Sequence, residues 1–188
     1  MITPVCQPGW TDDAIMALPQ NGKRYELRKG ELVIMSPAGA QHGEIAVRLV
    51  TALSAFVERK RFGNVYDSST GFRLSPDICY SPDIAFVCND RLRLLRVEPE
   101  KFLQGAPDLA VEVLSPTDSL REMTEKVKDY FQHGTSLAWV IDPQQRLVRI
   151  YREPMRFAIL RGNSFLTGHD VLLGFRYSLR RLFADPAF

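Results

Sequence analysis

Glu112 stands inside Leu109-Ala110-Val111-Glu112-Val113-Leu114, part of a nearly continuous apolar run from Asp108 that predicts a strand buried on both faces. An ionised carboxylate in such a strand is costly unless it is paired or bound to a metal. A second acid, Asp83, stands at the mouth of another apolar segment, Tyr80-Ser81-Pro82-Asp83-Ile84-Ala85-Phe86-Val87. Pro82 fixes the approach and cannot donate to a ladder, so Asp83 falls at a strand start. Two carboxylates at neighbouring strand positions make a hard-oxygen site suited to Mg²⁺ or Mn²⁺. A metal held there would polarise a phosphodiester and lower the pKa of its bound water. The plainer alternatives are a structural ion pair for Glu112 and a simple turn for Pro82-Asp83.

A cation would complete such a site. On the helix expected over Ser119 to His133, the residues Leu120, Met123, Val127, Tyr130 and Phe131 share one face. Lys126 and Lys128 lie on opposite flanks of it, and either could snorkel toward a cleft. Helix geometry does not choose between them. A second helix, Gln41 to Arg61, carries an apolar stripe of Ile45, Ala46, Leu49, Ala52, Leu53, Phe56 and Val57, with Gly63 expected to stop it. His42 falls within that stripe in the first turn, while Glu44 falls opposite and should face water.

These residues need a scaffold, and the remaining segments supply one. Thr11 is an expected N-cap for a short helix through Leu18, broken by Pro19 to Gly22. Arg24 to Arg28 and Glu31 to Met35 flank Lys29-Gly30, a hairpin with a tight turn. Strand-like runs follow at Asn64 to Asp67, Thr70 to Leu74 and Ile78 to Val87, the last interrupted by Pro82, and then a short basic helix over Asp90 to Arg96. Leu137 to Ile141 and Leu147 to Arg152 flank Asp142-Pro143 as another hairpin. Two weaker strands and a short helix near Leu179 to Phe183 finish the chain. Helices mixed with antiparallel neighbours predict an α/β (α+β) domain on a mixed central sheet.

Composition narrows the class. A chain of 188 residues, 45% apolar, suits a globular protein with a sizeable core. No run is long enough for a membrane helix and no secretory signal is visible at the start, so a cytoplasmic protein is expected. Cys6, Cys79 and Cys88 lack the spacing of a disulfide framework or zinc site; Cys79 and Cys88 should pack as small apolar residues. The net charge of +2 is uninformative. Between Pro143 and Arg181, however, eight arginines face only Glu153 and Asp170. Guanidinium groups suit phosphate contact, although a charged strand face is often merely solvated.

Taken together the motifs resemble a known family. Tyr25-Glu26-Leu27, Gly30-Glu31-Leu32, Met35-Ser36-Pro37, His42, Pro82-Asp83-Ile84, Pro107-Asp108-Leu109 and Val111-Glu112-Val113-Leu114-Ser115-Pro116, with Lys126 four residues before Tyr130, look like the Uma-two family of endonucleases. That family belongs to the restriction-endonuclease-like PD-(D/E)XK superfamily. The likeness runs from about Thr11 to Phe183. It implies one restriction-endonuclease-like domain over residues 1–188, with the N-terminal helix and hairpin (about 11–36) packed on its core.

The resemblance also implies roles. Asp83 and Glu112 would be metal ligands, with the Val113 carbonyl as a further one and Mg²⁺ or Mn²⁺ as the cofactor. The superfamily usually places a lysine two residues after the second acid, where this chain has Leu114. The family supplies it from the next helix, which selects Lys126. His42 matches a family histidine and joins the site, and Glu26, Glu31 and Ser115 stand at or beside family positions. Nucleic acid, DNA foremost, is the implied partner, and a homodimer is left open. The implied activity is metal-dependent phosphodiester hydrolysis. Two rivals are a non-catalytic binding module with a vestigial site and a metal hydrolase of small phosphate esters, which would need a closed pocket.

Overall fold

The computed structural model describes residues 9–19, 22–95 and 98–185; Cys6, Arg96 and Phe188 lie outside them. Thr11 caps α1 (Asp12–Met16), its hydroxyl accepting from the Ala14 N–H at 3.2 Å. The expected hairpin follows as β1 (Arg24–Arg28) and β2 (Glu31–Met35), with Arg28 opposite Glu31 and Arg24 opposite Met35. Lys29 and Gly30 both have positive φ, 50° and 83°, the geometry that matches a two-residue turn to strand twist.

The long helix α2 (Ala40–Lys60) buries Ile45, Leu49, Leu53, Phe56 and Val57. It ends at Lys60, one residue earlier than expected, and Arg61 caps it in a left-handed conformation (φ 54°). Gly63 instead opens β3 (Gly63–Asp67). A Cβ there would lie 2.0 Å from the Val87 carbonyl oxygen, so only glycine lets β3 approach its neighbour.

β4 (Phe72–Ser75), β5 (Ile78–Tyr80), β6 (Ile84–Cys88), α3 (Asn89–Leu94) and the two-residue β7 (Leu103–Gln104) come next. β8 (Leu109–Val113) is buried throughout. α4 (Leu120–Gln132) leads to β9 (Leu137–Asp142) and β10 (Leu147–Glu153). Three strands finish the chain where two were expected: β11 (Arg156–Arg161), β12 (Phe165–Gly168) and β13 (Leu172–Ser178), before α5 (Leu179–Leu182). Among the described residues, no helix is long and apolar enough to cross a membrane.

The strands form two mixed sheets and a two-stranded ribbon, ordered β2-β1-β5-β4-β7, β11-β10-β9-β8-β6-β3 and β12-β13. The expected run from Ile78 to Val87 is thus two strands in different sheets, and the chain crosses between them at Ser81, Pro82 and Asp83. Alternation along β8 explains the layering. Leu109, Val111 and Val113 join the α2 side of the core, with Ile84, Phe86 and Trp139. Ala110 faces the other way, with Ala85, Val87, Tyr80 and Tyr130. α4 covers that second face through Val127, against Leu114, Ala138 and Val140. α1 closes the outer face of the smaller sheet, where Ile15 meets Leu27, Leu32 and Cys79.

Candidate active site

Continuing the β6–β8 register past Ile84–Val111 sets Asp83 opposite Glu112. The Val113 N–H donates to Asp83 Oδ2 at 2.8 Å, which ties the two chain segments together. His42, from the first turn of α2, meets the same oxygen with Nε2 at 3.1 Å. Arg24 approaches Oδ1 at 3.4 Å.

On the other side stands Lys126. Its Nζ lies 2.8 Å from Glu112 Oε1 and 2.8 Å from Glu26 Oε1. Glu112 Oε1 also accepts from the Tyr130 hydroxyl at 2.8 Å, one helical turn beyond Lys126. Glu26 comes from the smaller sheet, on the face of β1 away from Leu27. Its Oε1 accepts the Ser81 N–H at 3.0 Å and its Oε2 accepts from Arg28 at 2.9 Å. The Lys126 ammonium lies 5.2 Å from the Tyr80 ring centre, and the Tyr80 hydroxyl donates to Asp129 at 2.6 Å.

All four central groups are nearly closed off from solvent. Glu26 is 2% exposed, Lys126 5%, Glu112 6% and Asp83 7%. They sit at the base of a cleft of about 720 Å³, between the Met35 end of the hairpin and the segment from Ser115 into α4.

Burial and charge set the protonation of the cluster. Burial pushes Glu112 up to about 7; Lys126 opposes this, while Asp83 and Glu26 add to it. For Glu26, burial is outweighed by Lys126 and Arg28, and its pKa is lowered. For Asp83, burial is outweighed by the hydrogen bond and charge of His42 and by the Val113 N–H, so it too is lowered. His42 is raised through its hydrogen bond to Asp83. Lys126 is raised, because its two carboxylate partners outweigh burial. Tyr130 is held well above its ordinary range by burial and by Glu112, so it remains a donor.

The structure therefore brings Asp83, Glu112, Lys126 and His42 together. Val113 lies beside them through its backbone, and Ser115 lines the cleft with its N–H held by Asp118 at 2.7 Å. Glu31 is not brought in. It is exposed beside the turn and absent from the cleft lining, which takes Arg28 and Val33 to Met35 from the hairpin. Lys128 also stays outside the cleft lining. The second Pro-Asp pair is structural: Asp108 accepts from the Cys88 N–H at 2.8 Å and from Arg91 at 2.9 Å.

The eight C-terminal arginines do not line the cleft, whose cations are Lys23, Arg24, Arg28 and Lys126. Several have local partners, Arg149 with Asp142, Arg152 with Asp170 and Arg156 with Glu153. Sequence reasoning gave too little weight to Glu26 and Tyr130. The signal for Glu26 was its place between Arg24 and Arg28 on one strand face.

The cleft offers oxygen ligands of the kind Mg²⁺ takes from one or two carboxylates plus water. Asp83 and Glu112 face each other, and both polar side-chain contacts to Glu112 fall on Oε1. No group of three or more His, Cys, Asp or Glu is gathered into a metal cage among the described residues.

Mixed sheets flanked by helices, with two acids and a lysine at the floor of an open cleft, define a restriction-endonuclease-like protein. The chain belongs to the Uma2 family, described as "Putative restriction endonuclease", which matches residues 12–180. Its fold is similar to a solved structure of "a putative nuclease belonging to DUF820" from Anabaena variabilis. The TM-score is 0.76, with 23% identity over 93% of this chain and 97% of that one. No curated protein matches the chain significantly.

Proposed function

We propose that this chain is a metal-dependent endodeoxyribonuclease of the PD-(D/E)XK type, hydrolysing DNA phosphodiester bonds in the cleft between the hairpin and α4. Asp83 and Glu112 would hold a Mg²⁺ or Mn²⁺ ion, with the Val113 carbonyl as a further oxygen ligand. When bound, that ion supplies charge stabilisation at the phosphate and a more acidic water.

The chain's own groups do the rest. Lys126 holds a positive charge at the cleft floor, where it orients the attacking water and offsets the charge developing on the phosphate. His42 positions Asp83 through Oδ2. Tyr130 fixes Glu112 through Oε1, leaving its other oxygen for a ligand. Arg24 sits beside Asp83 where a phosphate would arrive. The observation that carries this reading is the contact of Lys126 with Glu112 at 2.8 Å, across a cleft that also holds Asp83.

The test is nicking of supercoiled plasmid with Mg²⁺ or Mn²⁺, with EDTA and with Glu112→Ala as controls. Metal-dependent nicking that vanishes in the variant supports the reading. Absence of both cleavage and calorimetric metal binding would leave a non-catalytic module on the same fold.

A further inference from the structure

We propose that the strand this cleft accepts is unpaired: a single strand, an overhang or a locally opened segment, not a closed duplex. The inference rests on the nuclease reading of the same site and specifies its substrate.

Depth is the first observation. Asp83, Glu112 and Lys126 are buried at the cleft floor, so a phosphate must enter the cleft to reach them. A paired strand carries its complement with it and must be unstacked before it can enter, whereas an unpaired strand avoids that cost.

The walls are the second observation. Opposite sides of the cleft present apolar side chains, Val33 and Met35 from the hairpin face that carries Glu26, Pro116 and Met123 from the α4 side. Such surfaces suit the faces of bases, which a duplex keeps buried in its own stack. Lys23 and Arg24 on the same lining match the backbone phosphates. Apolar walls beside cations suit an unpaired strand, which exposes bases and phosphates together.

The experiment uses one labelled oligonucleotide in three forms: alone, fully paired with blunt ends, and paired with an overhang. Cleavage is followed with Mg²⁺ or Mn²⁺, and binding by fluorescence anisotropy in EDTA. The full chain should cut and bind the unpaired forms about 10- to 100-fold better than the blunt duplex. Met35→Ser, outside the acid cluster, should lower that ratio about tenfold without changing duplex binding. Equal or better use of the blunt duplex overturns the proposal and leaves the nuclease standing. Binding that keeps the preference without any cleavage supports the proposal and removes the nuclease reading. Loss of both overturns both.

Discussion

Lys126 reaches Glu112 from the helix that follows the strand, Nζ 2.8 Å from Oε1, while Leu114, two residues after the acid, packs into the core against Val127. The cation beside Glu112 is thus supplied by α4 and not by β8 itself. It carries a second load, because Glu26 also depends on it.

Removing that lysine should therefore damage stability as well as catalysis. Lys126→Met strands two buried carboxylates and should cost about 3–5 kcal/mol, read from denaturant melts. Pairing it with Glu26→Gln should recover part of the loss, a coupling that a double-mutant cycle measures. Lys128→Ala should stay within about 0.5 kcal/mol of wild type. A similar loss from Lys128→Ala would show that the wrong lysine has been assigned.

Glu112 gives a pH dependence of defined sign. Its folded pKa, about 7, lies above the ordinary 4.5, so the folded state holds the proton more tightly. Its contribution to stability is complete below the ordinary value and declines as pH rises through about 7. Melting temperatures of the metal-free protein should fall less steeply over that window in Glu112→Gln. Mg²⁺ needs the ionised form, so calorimetric affinity should rise across the same window. An affinity flat with pH would contradict this.

His42 and Asp83 bracket a different window. The raised imidazole contributes stability that is present below its ordinary 6.5 and is lost as pH rises through its folded value. The lowered carboxylate contributes above its ordinary 3.8 and is lost as pH falls through its folded value. In NMR titrations His42 should have a midpoint above the ordinary value, and Asp83→Asn should move it downward.

Tyr130→Phe deletes one donor to Glu112 and leaves Lys126 in place. A loss of about 1–2 kcal/mol is expected, with reduced nicking. Full nicking in this variant would mean that the hydroxyl does not position the acid.

Gly63→Ala probes the scaffold. The added methyl meets the Val87 carbonyl, a backbone atom that cannot swing aside, so about 1–3 kcal/mol should be lost with the cleft residues untouched.

Local pattern made the hairpin, α2, β8 and α4 legible in the sequence, because each has its own period and stop signal. It did not reveal that Tyr80 and Ile84 belong to different sheets, since both flanks of Pro82 are equally apolar. β7 has only two residues and leaves no periodic trace. β11 is almost wholly exposed, so no alternation marks it. At the site, Glu112 was visible because an acid is out of place in a buried strand. Glu26 was not, because an acid flanked by arginines on a half-polar strand looks like a solvated face until another sheet covers it. The choice of Lys126 required knowing what lies across from α4.

The cluster draws Glu26 from the smaller sheet, Asp83 from the crossover, Glu112 from the larger sheet and Lys126 from a helix after both. A nascent chain cannot possess this centre in part. Until residues a hundred positions apart have met, Glu112 lacks its lysine partner and the cleft has no floor. Under the nuclease reading proposed above, the centre would therefore be assembled only once the tertiary structure is complete.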